Sequence, residues 1–234
     1  MIAVRPPKLW IALLLGIFLQ PFVFLYVNRP KLFWSYLFAA LLIAAVDWYF
    51  VLSLHLLVRA FLYEPYAVPS ASMHPTLVEG DVVVVQKWGY AQSALFGYAL
   101  PGSAAVAPER LQRGNVYVFY PPDRDNLFVK RLMALPGDVI ALTEQGVVIN
   151  GETLPEALLS DTEELTRFSE SLDGLEYQVQ YLKGLPKQPI RTFKVPAGHY
   201  FFLGDNRENS ADSRHWGSVP AQRIVGEVVA IVPK

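Results

Sequence analysis

Residues 9–27 run for 19 positions without a charge, and no other feature limits the folding of this chain as strongly. As a helix the run would be about 28 Å long, close to the thickness of a bilayer core. A second apolar stretch, residues 32–62, carries only Asp47 and Arg59 as formal charges. Its helix would measure about 46 Å, long for one span and short for two with a turn. One span is the preferred reading, starting near Leu32, with its last turns around Arg59 reaching the interface, where arginine snorkels. The link NRPK (28–31) then forms a tight turn with two positive charges, which the positive-inside rule assigns to the cytoplasm. Both ends of the anchor would face outward. Arg5 and Lys8 argue for an inside N-terminus instead, and a third span would reconcile that with an outward domain. A cleaved secretory leader is the alternative for residues 1–27, but the run exceeds a usual leader core and leads into a second one. Asp47, His55 and Arg59 recur at multiples of four, which makes a loose stripe on a helix, read as a polar seam or as groups near the water interface.

Composition changes at about residue 62. Residues 1–62 hold five basic side chains and one acid, which leaves 15 basic and 20 acidic ones beyond, a net charge of −5. An acidic domain without a basic patch does not suit nucleic acid, whose phosphates demand clustered Lys and Arg. The absence of cysteine removes disulfides, thiol catalysis and thiolate metal sites.

From Tyr63 onward, short apolar runs are closed by turn residues: DVVVV from Asp81, NVYVF from Asn115, DVIAL from Asp138, HYFFL from His199 and IVGEVVAIV from Ile224. These read as strands. In GVVINGETL (146–154) the Asn150-Gly151 step between extended residues is a hairpin signal. The expected fold is mostly β: a helical membrane anchor over residues 1–62, then an antiparallel β-sheet domain over 63–234. Residues 158–172 are acidic and roughly amphipathic, so one short helix is expected there. Residues 101–108 read as a flexible excursion within a segment, 91–109, that either skims lipid or forms a loop.

Two stretches place a serine and a lysine where a catalytic pair could form. Ser72 lies in PSASMHPT (69–76), and Lys130 lies among Phe128, Val129, Leu132 and Met133. Desolvation disfavours an ammonium, so a lysine among apolar neighbours can supply a neutral amine to take a serine proton. Ser72 follows Leu62 by ten residues, so an extended link keeps it within about 35 Å of the helix end. Residues 66–69 read as extended chain, beside which a peptide could gain main-chain bonds by strand addition. A third stretch, GDNRENSADSRHWG (204–217), packs five charged side chains into fourteen residues after an apolar strand, as a loop built from internal hydrogen bonds requires.

These stretches, together with YEPYAVPSASMHPTL, RGNVYVF and KRLMALPGD in the same order, resemble the type I signal peptidases, membrane-bound serine proteases that remove signal peptides from exported proteins. Residues 140–196 carry little of the likeness and read as a more variable insertion. The resemblance implies Ser72 as nucleophile, Lys130 as general base, and an oxyanion hole made by Ser70 and the Ser72 N–H. It further implies that Ser210 holds the Lys130 amine, that Asp212 and Arg214 brace the loop, and that Asp205 and Arg131 support the site. Ala134, Asn115 and Glu208 depart from the family's usual residues without touching the pair. The implied enzyme needs no metal or cofactor. Its partners are exported preproteins and membrane lipid, with no nucleic acid, and its place is the bacterial inner membrane, multi-pass, with the catalytic domain on the periplasmic side. Rival readings are weaker: His74 and His215 raise a Ser/His triad without a nucleophile elbow, Pro75 breaks a Ser-x-x-Lys motif, and a pure binding platform would need none of Ser72, Lys130 and Ser210.

Overall fold

A computed structural model describes residues 30–90, 94–95, 98–99, 110–185 and 190–234. The first apolar run and the 101–108 excursion lie outside these residues. Helix α1 is Pro30–Phe61, with proline at its first position, where a missing N–H costs nothing. So Pro30 and Lys31 of the expected link are helical. Within α1, Leu37–Phe61 is 25 residues long and contains an 18-residue window, of mean hydropathy 2.1, that the protein leaves unburied. A helix that is apolar all round and uncovered by protein suits lipid.

The chain divides into two units between Leu56 and Leu57. The second unit is built from strands β1 (Tyr63–Ala67), β2 (Val82–Gln86), the short pair β3 (Ala94–Leu95) and β4 (Tyr98–Ala99), β5 (Val116–Phe119), β6 (Phe128–Ala134), β7 (Val139–Thr143), β8 (Gly146–Ile149), β9 (Glu152–Thr153), β10 (Glu156–Asp161), β11 (Leu165–Leu172), β12 (Leu175–Leu182), β13 (Arg191–Lys194), β14 (His199–Leu203), β15 (Val219–Pro220) and β16 (Ile224–Val232), with helix α2 (Ser213–Trp216) between β14 and β15. The main sheet has seven strands in the order β1-β2-β16-β5-β6-β14-β15; smaller sheets are β10-β11-β12 and β13-β7-β8-β9. Pairing is antiparallel throughout the named strands.

Strand β5 is buried on both faces, which is why NVYVF shows no alternation. Tyr117 and Phe119 enter one core with Leu132, Phe202 and Ile224, while Val116 and Val118 enter another with Met73, Leu77 and Val85. A third core joins Met133, Phe201 and Leu203 to the smaller sheets through Ile140, Leu172 and Val179. Strand β6 lies between all three, so it can carry a polar side chain into dry surroundings. The Asn150-Gly151 hairpin forms between β8 and β9, with φ of 53° and 88°, the left-handed pair that a tight hairpin turn requires.

The helix expected over residues 158–172 is absent; these residues form most of β10 and all of β11, joined through Thr162, whose N–H and hydroxyl both bond the Leu165 carbonyl. The error has a physical cause. Phe168, Glu170 and Leu172 alternate toward one core, but the middle one is a carboxylate, and this charge on an apolar face hid the period of two. Glu170 is fully buried because Arg207 grips it with two hydrogen bonds of 2.5 Å each and Tyr177 donates a third of 2.9 Å. Removing one partner of a buried pair leaves an uncompensated charge. Glu170→Gln should therefore destabilise the domain by about 3 kcal/mol or more, read as a lowered midpoint in thermal or urea unfolding; a midpoint within error of the parent would show that Arg207 finds another partner.

Candidate active site

Ser72 is the middle residue of a 3-10 turn, Ala71–Met73, that follows β1. Met73 and Leu77 are fully buried on either side of a backbone hydrogen bond, Leu77 N to Met73 O at 2.9 Å, and these apolar anchors fix the turn to the core. A second tie comes from Asn206. Its backbone N–H donates to the Ser72 carbonyl at 3.1 Å and its side-chain amide donates to the Ala71 carbonyl at 3.0 Å. Both carbonyls of the turn are thus held from the loop after β14.

Lys130 projects from β6 and is 2% exposed. Its Nζ lies 2.6 Å from Ser72 Oγ and donates to the Val129 carbonyl at 2.8 Å, with the Phe128 ring 5.5 Å away. Burial lowers its pKa to about 8; the charges of Asp212 and Asp205 pull the other way, and Arg214 adds to the lowering. Neither acid reaches the amine, because each is held by an arginine. Arg131 donates to Asp205 through Nε at 2.8 Å and Nη2 at 2.5 Å, and Arg214 donates to Asp212 through Nε and Nη2, both at 2.7 Å. A neutral amine has one lone pair and two protons. With one proton on the Val129 carbonyl, the lone pair is available to accept the Ser72 hydroxyl proton.

Ser70 Oγ sits 3.3 Å from Ser72 Oγ on the solvent side of the turn. Asp212 caps helix α2 by accepting from the Arg214 N–H at 3.3 Å and also accepts from the Gly204 N–H at 3.0 Å. Burial alone would raise the Asp212 carboxyl, but the Arg214 bonds and charge outweigh it and hold the pKa below the ordinary value. Arg214 also donates to the Arg207 carbonyl at 2.6 Å, so the loop closes on itself. Arg131 further donates to the Gly114 carbonyl at 2.5 Å and stacks 3.9 Å over the Tyr177 ring, while Thr76 donates to Asp205 at 2.5 Å. Ser210 is the exception among the candidates. Its hydroxyl is buried and acts on the Asp212 carboxyl, which it helps to lower, while the Lys130 amine bonds Ser72 and Val129. Ser210 packs against Gly204, where any Cβ would collide with the Ser210 hydroxyl and come within 2.5 Å of the Ser72 carbonyl.

Gly204, Asn206 and Thr76 were not singled out from the sequence. Asn206 and Gly204 lay inside the dense polar stretch, whose composition signalled a bonded loop but not its partners; Thr76 gave no signal. Neither histidine takes the base position: His74 Nε2 is buried without a partner and His215 is half exposed beside Asp212. No group of three or more His, Cys, Asp or Glu suited to a metal occurs among the described residues.

Among the described residues strand β1 pairs only with β2, and its other edge carries no described strand. Val68, just beyond it, turns both its N–H and its carbonyl inward, to Asp81 and Gly80, which leaves the alternate groups of Ala67 and Pro69 facing outward beside the Ser72 turn.

The family model described as "Signal peptidase, peptidase S26" matches residues 37–232. A signal peptidase I of Pseudomonas fluorescens is 39% identical over 202 residues, covering 77% of this chain and 68% of that protein. A signal peptidase I of Pseudomonas aeruginosa is 36% identical over 200 residues with the same coverage, 77% and 68%. A crystal structure of a signal peptidase I from Enterococcus faecalis aligns with 51% of this chain and 97% of its own at 26% identity and a TM-score of 0.35.

The contact at Gly204 is a steric one, and overpacking a tight site typically costs 1–3 kcal/mol. Gly204→Ala should lower stability by about 2 kcal/mol, and Gly204→Ala with Ser210→Ala should recover part of that loss, both read by urea unfolding. Full stability in the single variant would show that the loop yields without cost.

Proposed function

This chain belongs to the signal peptidase family, peptidase S26, serine peptidases that remove signal peptides, and from that premise we propose that Ser72 and Lys130 are its catalytic dyad. The observation that carries the reading is the 2.6 Å approach of Lys130 Nζ to Ser72 Oγ in a site that keeps the amine pKa near 8. The neutral amine takes the hydroxyl proton as Ser72 Oγ attacks the carbonyl at the cut. Negative charge then develops on that carbonyl oxygen. The Ser72 N–H and the Ser70 hydroxyl are the donors for it, and one such donor is typically worth about 3–4 kcal/mol of barrier. The Lys130 ammonium gives its proton to the departing amine of the mature protein, leaving the signal peptide acylated on Ser72. The same amine next takes a proton from water, whose attack frees Ser72.

Asn206, Asp205–Arg131 and Asp212–Arg214 are positioning groups: they hold the Ser72 turn and keep the nearby acids off the amine. Ser210, packed on Gly204 behind the Ser72 carbonyl, supports the same turn and the amine beside it. The signal peptide lies extended along the open edge of β1 and gains main-chain bonds by strand addition. The family likeness gives small, alanine-like side chains near the cut. The preprotein is itself held in lipid, and α1 keeps the domain at the same membrane, with residues 9–27 as a further span. The domain faces the periplasmic side of a bacterial inner membrane.

The rate should rise about tenfold per pH unit at acid pH and level off above about 8, because only the deprotonated amine acts. A profile flat from pH 6 to pH 9 would overturn the assignment of Lys130, measured as kcat/KM on one preprotein. Ser72→Ala and Lys130→Ala should each abolish cleavage in a folded chain. Lys130→Arg should be equally inactive at every pH, since a guanidinium stays protonated, and parent-like turnover in any of the three would remove the dyad.

A further inference from the structure

A cavity of about 470 Å³ lies on the far side of the catalytic loop from Ser72, and neither Ser72 nor Lys130 lines it. Its walls come from three places. Leu142 and Val147 flank the β7–β8 turn, Phe168 and Tyr181 come from the β10-β11-β12 sheet, and Arg207, Glu208 and Arg214 form the floor. This volume is that of a small-molecule site, which usually pairs apolar walls with a few placed polar groups.

The polar groups are unevenly matched. Arg207 and Arg214 also line the cavity, but each is already spent on a buried carboxylate, Glu170 and Asp212. Among the described residues neither Glu156 nor Glu208 forms an ion pair: Glu156 accepts a long bond of 3.4 Å from the Tyr181 hydroxyl and stands against the Glu170 carboxyl, and Glu208 accepts the Leu182 N–H at 3.1 Å. With the two arginines neutralised, the remaining acidic or basic side chains of the lining are Glu156 and Glu208, with Glu144 as a third acid. Burial pushes both carboxyls up, Glu156 to about 7 with help from the neighbouring charge of Glu170. Each would gain from a cation placed beside it. The Glu156 carboxylate packs against Gly146, where a Cβ would stand 2.8 Å from its Oε1.

We propose that this cavity is a binding site for a small amphipathic cation: an ammonium or guanidinium head between Glu156 and Glu208, on an aromatic or short aliphatic body against Leu142, Val147 and Phe168. The site is independent of the Ser72 and Lys130 reading. Its floor is the loop that carries Ser210 and Asp212, so an occupant touches the back of the catalytic machinery.

The test uses the full chain in detergent micelles and two probes of matched shape, 2-phenylethylammonium and 3-phenylpropanoate, titrated by calorimetry against protein and against empty micelles. The cation should bind at least tenfold more tightly than the anion. Glu156→Gln with Glu208→Gln should weaken the cation at least tenfold, and Leu142→Trp, which fills the cavity, should remove it. Glu163→Gln with Glu164→Gln, on an exposed turn, and Ser72→Ala should leave its affinity within twofold. Equal binding of the anion, an unchanged affinity in the Glu156 and Glu208 variant, or loss of binding in Ser72→Ala would overturn the proposal. So would the absence of saturable binding tighter than about 10 mM, which is weak for a ligand of about nine heavy atoms seated in a cavity. If Leu142→Trp does not fold, the amide variants decide alone.

Discussion

A lysine amine in a nearly dry pocket, 2.6 Å from a serine hydroxyl, is the contact on which the rest of this domain depends. Burial takes the proton off the amine only if no carboxylate gives it back. Two acids stand near enough to do so, Asp212 and Asp205, and their charges act to raise the lysine. Each is held in a two-point ion pair by a buried arginine, Arg214 and Arg131. Buried ion pairs add little net stability, since the desolvation of both partners offsets most of their attraction. Here their value is electrostatic isolation: they supply rigid hydrogen bonds around the site while presenting it with dipoles in place of net charges.

The same economy shapes the loop from Gly204 to Gly217. Asn206 reaches forward to the Ala71 and Ser72 carbonyls, Asp212 reaches back to the Gly204 N–H, and Arg214 bonds the Arg207 carbonyl. The loop is therefore both the clamp on the Ser72 turn and the frame for the acids. Close approach is what makes this possible. Gly204 lets the Ser210 side chain and the Ser72 carbonyl pack against one Cα, and a side chain there would push the clamp off the turn. Arg207 extends the frame to the smaller sheets through Glu170, so a charge pair far from the amine also holds the loop.

How much of this could be read in advance depended on whether a residue's partner lies near it in the chain. Four strands of the main sheet, β2, β5, β14 and β16, were legible because Val, Ile, Phe and Tyr cluster in short runs between turn residues, and the Asn150-Gly151 hairpin because its turn chemistry is local. Lys130 was legible because its dry surroundings begin with its own neighbours, Phe128, Val129, Leu132 and Met133. Glu170 was misread because its partner, Arg207, lies 37 residues away, so its charge looked like a solvated helix face. Asn206, Gly204 and Thr76 act through backbone groups or contacts that no side-chain pattern announces. Ser210 lies beside Gly204, while the bonds of the lysine amine go to Ser72 and the Val129 carbonyl.

An exposed edge strand is ordinarily a liability, since its free N–H and carbonyl groups invite pairing with other chains. The edge of β1 is short, carries Pro65, and sits directly after the last turn of α1, where Arg59, Lys87 and Tyr66 converge on the buried Glu64 at 3.1, 2.9 and 2.5 Å. Proline removes one donor from the strand, so promiscuous pairing is weakened there while the edge nearer Ala67 and Pro69 stays usable. Lys87 also donates to the Arg59 carbonyl at 2.7 Å, tying the end of the helix to β2. Strand addition gains energy from the backbone of any extended peptide and so carries almost no sequence information. A chain that recognises its substrate this way must take selectivity from elsewhere. In the proposed reading the order of the parts along the chain supplies it: an apolar helix, a charged and buried junction, a short edge strand and then the serine.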